Sequence, residues 1–463
     1  MGPPAGAEPP ENPMTDTAEP SDQSWKARSR RALVRLAGGV DEQGRLIVWL
    51  LRWIALGIGV GVLAGLSSAL FLKMLEWSTR SFAEHGWLLW LLPVGGLAMG
   101  CLYHYTGGRS IEGNVLVIDE IHEPRTGIPR RMAPLVLIST VATNLFGGSA
   151  GREGTAIQMS ASLTDNAARL LHLSRPERRT LLVAGISAGF GAVFGVPLAG
   201  AVFGLEVQSI GRVRYEALVP SLTGALVGDL VVRGLGIHHT PTPQLGPVDL
   251  NAGLIVKIAV AGLVFGLVSA AFIEAVHLVK RIGARLTGWP PARPVIGGVL
   301  VIALTLLVGN HHYNGLSIPL AVDALAGHDP GLQVFALKLV FTAVTLGFGF
   351  YGGEVTPLLV IGSTLGAALA AILGVPIELL AAIGYVAVFA GAANTPLACT
   401  VMAVELFGRQ ALEPAAVGCV MAYVFSSHRS IYGTQRLAVP KGRWSGPLGH
   451  RVRDHRSHPA DDD

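Results

Sequence analysis

Charge is scarce in this chain. Only 14% of its 463 residues are Asp, Glu, Lys or Arg, against 51% hydrophobic residues, and the mean hydropathy is +0.50. A water-soluble protein of this length needs far more polar surface, so the composition points to an all-α polytopic membrane protein. The three cysteines, Cys101, Cys399 and Cys419, are dispersed without disulfide or metal-ligand spacing, and they read as packing residues. No helical stripe joins basic and aromatic residues, and the net charge of +4 is small, which argues against a nucleic-acid partner. An intramembrane enzyme would need a nucleophile and base in apposed segments, such as a G-x-S-x-G turn with a matching histidine or an H-E-x-x-H helix. The chain is read as having neither, and no cofactor or metal is expected.

Basic residues cluster where membrane topology would use them. Residues 1–45 form a Pro- and Ser-rich, then basic, leader (Lys26, Arg28, Arg30, Arg31, Arg35) that reads as a disordered tail. Excess Lys and Arg also mark 122–131, 172–179 and the tail 436–463. By the positive-inside rule these segments, and both termini, are predicted to be cytosolic in a plasma (inner) membrane. The stretch 234–251 has no Lys or Arg and three prolines. It is predicted to be an external seam, with a first half at 46–235, a linker at 236–252 and a second half at 253–435.

The halves repeat one another. Gly151-Arg152-Glu153-Gly154-Thr155 shares a G-x-E-x-T frame with Gly352-Gly353-Glu354-Val355-Thr356, 201 residues later. Pro197-Leu198-Ala199 with Glu206 recurs as Pro396-Leu397-Ala398 with Glu405, shifted by 199. Several apolar segments, including those from 155, 198, 355 and 397, sit behind Gly or Pro punctuation, and some are shorter than the ~20 residues that cross a bilayer. Such broken helices survive at mid-membrane only where protein or a cavity satisfies their free backbone groups. Paired with glutamates and duplicated, they are the pattern of a transporter with a polar site between inverted repeats. Helix N-termini carry unpaired N–H groups and roughly half a positive charge, so several converging ends make an anion site without a lysine.

The motifs resemble the CLC family of chloride channels and anion/proton antiporters over about 46–435. Gly151-Arg152-Glu153-Gly154, followed by Gly195-Val196-Pro197-Leu198-Ala199-Gly200, carries the likeness most strongly. The departures are specific. The proline expected after the first tetrapeptide is Thr155, and the second filter element reads Gly353-Glu354-Val355-Thr356-Pro357 without its phenylalanine. Asn114, in Glu112-Gly113-Asn114-Val115-Leu116-Val117, stands for the family's anion-binding serine, while the literal Gly127-Ile128-Pro129 lies in a basic loop as a decoy. Together these changes resemble the fluoride-exporting CLC-F branch of fluoride/proton antiporters, with a chloride channel or chloride/proton antiporter as the alternative.

The resemblance implies two inverted-topology repeats, a mid-membrane anion site and a homodimer in the lipid bilayer. Its substrates would be fluoride and protons, with chloride as the competing anion. It makes Glu153 the gate and proton carrier, and places Asn114, Gly154, Val355, Thr356 and Tyr432 around the anion. Val207 occupies the family's inner proton position, so that station is absent. Glu206 and Glu405 read either as proton sites or as hydrogen-bond partners of backbone freed by the broken helices, the latter favoured. Glu354 reads as a structural or gating group. The histidine pairs His238-His239 and His311-His312 are expected to be solvated, and Glu274 with His277 to form a buried pair.

Overall fold

The computed structural model describes residues 22–124, 126–442, 448 and 451, with side chains from Glu42 onward. Two units separate, residues 1–52 and 53–463. The first holds the opening of α1 (Asp22–Glu84). The expected tail is therefore helical from Asp22, and residues 1–21 of that expectation lie outside the described residues.

The helices of the second unit are α2 (Leu92–Leu102), α3 (Asn114–His122), α4 (Met132–Leu145), α5 (Glu153–Leu170), α6 (Arg175–Phe194), α7 (Pro197–Glu206) and α8 (Leu218–Gly234). After the helix-free stretch 237–251 come α9 (Ala252–Leu286), α10 (Arg293–Val308), α11 (Ile318–Leu325) and α12 (Leu332–Gly347). The chain then continues through α13 (Val355–Leu373), α14 (Ile377–Ala393), α15 (Pro396–Phe407) and α16 (Leu412–Phe425). Among the described residues, six helical segments are long and apolar enough to span a bilayer, while α4, α7, α12, α14 and α15 are apolar but shorter. The protein is a multi-pass membrane protein.

Sequence explains the breaks. Pro197 and Pro396 open α7 and α15, where the missing N–H costs nothing. The helices before them stop at residues in the left-handed region, Gly195 at φ 74° and Asn394 at φ 60°. At the start of α6, Ser174 and Glu177 form a reciprocal capping box. Helices α13 and α14 approach so closely that both contact points must lack a side chain. A β-carbon on Gly362 would sit 2.0 Å from the Gly384 carbonyl oxygen, and one on Gly384 2.2 Å from that of Gly362.

Two short strands, β1 (Ser209–Ile210) and β2 (Arg436–Leu437), pair in parallel. They tie the segment after α7 to the segment just after Tyr432. Helices α3 and α11 fall outside the apolar runs seen in the sequence, because charges interrupt the first and the second is only eight residues long.

Candidate functional site

The two G-x-E frames meet. Gly151 N–H donates to Gly353 O at 2.7 Å and Gly353 N–H returns to Gly151 O at 2.8 Å, an isolated antiparallel bridge between residues 202 apart in the chain. Helices α5 and α13 begin immediately after it, so their N-terminal ends converge. Gly353 has no room for a side chain there, since a β-carbon would lie 3.0 Å from the backbone nitrogens of Glu153 and Gly154 and 3.1 Å from that of Arg152.

Glu153 is fully buried. Its Oε2 accepts the Thr356 backbone N–H at 3.0 Å and that of Arg152 at 3.2 Å. Its Oε1 accepts the Thr356 hydroxyl and stands 3.5 Å from Arg152 Nε. The carboxylate thus occupies the partial positive charge at the start of α13, the kind of place an anion would take. Val355, the first residue of that helix, is buried beside it.

Asn114 opens α3 and points at the same spot. A β-carbon added to Gly154 would lie 3.1 Å from the Asn114 amide nitrogen, and the Asn114 amide oxygen is buried without a partner. The Tyr432 hydroxyl is likewise buried and unpartnered, with its ring edge-on to Phe203 at 6.4 Å. It lies within electrostatic reach of both Glu153 and Glu354. Thr434 donates to Val115 O at 3.3 Å, which holds the tyrosine segment against α3. Buried polar atoms without partners are rare in folded proteins, and two of them beside a charged carboxylate mark a place for a polar guest. The structure therefore brings Asn114, Glu153, Gly154, Val355, Thr356 and Tyr432 into one region.

Glu354 differs from its duplicate. It is half-buried before α13, its backbone carbonyl accepts Leu358 N–H at 3.2 Å, its carboxyl makes no hydrogen bond among the described residues, and Lys280 is a charge that acts on it. Thr155, in place of proline, bonds the Thr140 hydroxyl at 2.6 Å and so braces α5 on α4.

Glu206 and Glu405 make a reciprocal pair. Glu206, at the end of α7, accepts Leu397 N–H at 3.1 Å and Ala398 N–H at 2.8 Å, while Glu405 near the end of α15 accepts Leu198 N–H at 2.9 Å and Ala199 N–H at 2.7 Å. Each carboxylate caps the other half's broken helix, serving orphan donors and the helix dipole together. Val207, buried after Glu206, presents only a backbone carbonyl, which accepts Gln435 Nε2 at 2.6 Å.

Sequence reasoning passed over three supports. Gln435 Nε2 also donates to Ala393 O at 2.7 Å, and its Oε1 accepts Asn394 Nδ2 at 3.0 Å and the Ser430 hydroxyl at 2.5 Å, so one amide links both halves to the tyrosine loop. Lys338 of α12 is fully buried and donates to Ser149 Oγ, Ser317 Oγ and the carbonyls of Tyr313 and Gly315 at 2.8–3.3 Å. It pins the loop leading to Glu153, helped by Thr345 and Thr342 at Ser149. Below α3, Arg178 joins Glu120 at 2.9 Å and also bonds Asp165. A lone polar residue in an apolar run gives no signal of such partners.

Gly127-Ile128-Pro129 is a decoy in fact. The Gly127 and Ile128 N–H groups are taken by Glu120 and Asp165 at 3.2 and 2.8 Å. The letters G-x-S-x-G do occur twice, around Ser149 and Ser187. Neither is a nucleophile turn: Ser149 Oγ meets Lys338 and Thr342, Ser187 Oγ of α6 donates to Ala201 O of α7, and no described histidine reaches either. Cys399 and Cys419 are buried and free. The expected buried pair of Glu274 and His277 is corrected: Glu274 has a 42% exposed side chain and bonds Arg429 at 2.9 Å, because this face of α9 reaches the segment after α16. His239 is corrected too, being half-buried rather than solvated. Among the described residues no cluster of His, Cys, Asp or Glu could hold a metal.

The family model described as "Voltage gated chloride channel" matches residues 95–427. This chain belongs to that family, the CLC proteins. A "Chloride/fluoride channel protein" of Pseudomonas syringae pv. tomato is 46% identical over 422 residues, covering 89% of this chain and 92% of the relative. The H+/Cl− exchange transporter ClcA of Yersinia pestis is 26% identical, covering 78% and 82%. Among solved structures, a CLC-type fluoride/proton antiporter superposes with a TM-score of 0.80 at 36% identity, covering 83% of this chain and 97% of that one. A slow cyanobacterial Cl−/H+ antiporter, at a TM-score of 0.70 and 18% identity, shares the fold. This CLC protein is a membrane transporter and not an enzyme, with the inverted repeats of its family. The cross-capped glutamates express the inversion, since α7 and α15 each end beside the other's start.

Proposed function

We propose that this CLC protein is a fluoride/proton antiporter that exports fluoride as protons enter, with Glu153 as gate and proton carrier. The observation that carries the reading is the Glu153 carboxylate bound to Thr356 at the head of α13. Fluoride is a small, hard anion, and leaving water it needs several short hydrogen bonds in return. The Thr356 hydroxyl and N–H, the Asn114 amide, the Gly154 and Val355 backbone and the Tyr432 hydroxyl supply a compact set of donors. Two unit charges 4 Å apart at an effective dielectric of about 20 repel by roughly 4 kcal/mol, so anion and carboxylate cannot share the cradle. Protonation frees Glu153 from the cradle when fluoride arrives, and loss of the proton returns it when fluoride leaves.

Fluoride is preferred to chloride here because of Asn114, Thr155 and Gly353-Glu354-Val355-Thr356-Pro357, and because a 46%-identical relative and a 36%-identical solved structure carry fluoride in their names. Glu354, close to Tyr432 and with a carboxyl free of hydrogen bonds among the described residues, is the candidate second titratable group of the pathway. Glu206 and Glu405 serve structure. A homodimer is favoured by Leu198 and Leu397, 47% and 54% exposed on the cross-capped helices. Plasma (inner) membrane insertion with both termini cytosolic follows from the basic segments.

Reconstitution tests the reading. Vesicles with the wild-type protein and paired fluoride, chloride and pH electrodes should show fluoride moving uphill against a proton gradient. Glu153→Gln should abolish proton movement. Proton-coupled fluoride flux that persists in Glu153→Gln, or wild-type flux that treats chloride as readily as fluoride, would reject the gate or the selectivity respectively.

A further inference from the structure

Two cavities meet at the linker between the halves. The larger, about 410 Å³, is lined by Glu76 and Arg80 of α1 and by His238. The smaller, about 40 Å³, touches Glu153, Thr356 and Tyr385. Arg152, His239, Thr240 and Ile318 line both. A chamber of that size has room for water, which needs about 10–15 Å³ of such space.

His239 is fixed in this wall by its surroundings. Its ring lies on Gly195, where an added β-carbon would come within 2.3 Å of Cδ2. The strand of linker that follows is pinned to the end of α15: Thr242 Oγ1 and Gln244 Nε2 donate to Leu406 O at 2.6 and 3.0 Å, and Leu245 N–H to Phe407 O at 3.0 Å. The Nε2 atom is nonetheless buried with no hydrogen-bond partner. Arg152, Arg233 and His238 are the cationic and titratable groups acting on the ring, Glu153 faces it across the small chamber, and Glu76 and Arg80 stand in the larger cavity. Burial pushes the imidazole down to about 4, and those three neighbours push the same way. At neutral pH the ring is therefore uncharged, the form that can accept a proton on one nitrogen while giving one from the other.

We propose that His239 relays protons between the larger cavity and Glu153, a role that rests on the antiport reading above. In one transfer a hydronium in the larger cavity protonates one ring nitrogen. The other ring nitrogen releases its proton, through water in the small chamber, to the Glu153 carboxylate. Water remains on one side, a neutral carboxyl forms on the other, and the ring keeps its charge while changing tautomer. The first tautomer returns when both nitrogens exchange protons with the water of one cavity, so that no proton is carried back from Glu153.

Chemical rescue in proteoliposomes tests this. His239→Ala and His239→Gln, each checked for a monodisperse profile and for fluoride binding, should lower turnover about tenfold or more with the fluoride-to-proton ratio unchanged. Added imidazole should restore turnover in His239→Ala and do little for the bulkier His239→Gln. Full turnover in both variants, or a loss in His239→Ala that imidazole does not relieve, overturns the relay while leaving antiport intact. Wild-type vesicles that move fluoride without protons would remove the antiport reading, and the relay with it.

Discussion

In the first half α6 ends at Gly195 in the left-handed region and α7 opens on Pro197; in the second, α14 ends at Asn394, also left-handed, and α15 opens on Pro396. The caps are equally matched, Glu206 on one helix start and Glu405 on the other. Symmetry stops at the G-x-E frames. Glu153 reaches across the bridge to the second half's Thr356, while the Glu354 carboxyl makes no hydrogen bond among the described residues and Thr155 turns away to Thr140. A duplicated scaffold supplies two helix ends, and one carboxylate alone closes the site between them. On the proposed reading, function lives in the broken symmetry and stability in the kept symmetry.

The largest expected effect separates the two glutamates. Glu153→Gln should cut proton flux by about 100-fold, the scale of a lost proton-transfer group, and Glu354→Gln by clearly less. Equal losses in a paired-electrode flux assay would dissolve the asymmetry. Next come the two glycines that crowd the bridge. Gly353→Ala drives a β-carbon into three backbone nitrogens and should cost about 1–3 kcal/mol together with transport. Gly154→Ala should cost less in thermal denaturation, because its nearest contact, the Asn114 side-chain amide at 3.1 Å, can move aside and the backbone atom it meets, Gly353 Cα, lies farther away at 3.3 Å.

The threonines sharpen the contrast further. Thr356→Val removes a charge-assisted hydrogen bond of about 1.5–3 kcal/mol and should slow fluoride turnover about tenfold. Thr155→Val loses only a hydroxyl pair, about 1 kcal/mol of stability, and should keep turnover. The smallest effect concerns the caps. Glu206→Gln and Glu405→Gln should each lower stability by about 1 kcal/mol, by similar amounts and without uncoupling. Loss of proton coupling in Glu206→Gln alone would make it the inner proton station instead of a cap.

Much of this was legible before any coordinates. The two offsets, 201 and 199, announce the duplication, and punctuation by Gly and Pro places the starts of α5, α7, α13 and α15 within a few residues. Asn114, Glu153, Thr356 and Tyr432 could be chosen only through the family likeness, because they are scattered along the chain and share no local period. The role of Glu206 and Glu405 stayed open, since a capping carboxylate and a titrating one look alike in a sequence. Lys338, Gln435 and His239 were beyond reach. Their partners lie on other elements, and nothing near them in the chain records that convergence.

The central claim is that fluoride and the Glu153 carboxylate compete for one seat at the head of α13. Proton uptake on fluoride binding, followed by a pH electrode in weakly buffered detergent solution, tests it most directly. The wild-type protein should take up protons as fluoride binds, and Glu153→Gln should bind fluoride with none. Fluoride binding to the wild-type protein without proton uptake would contradict the claim.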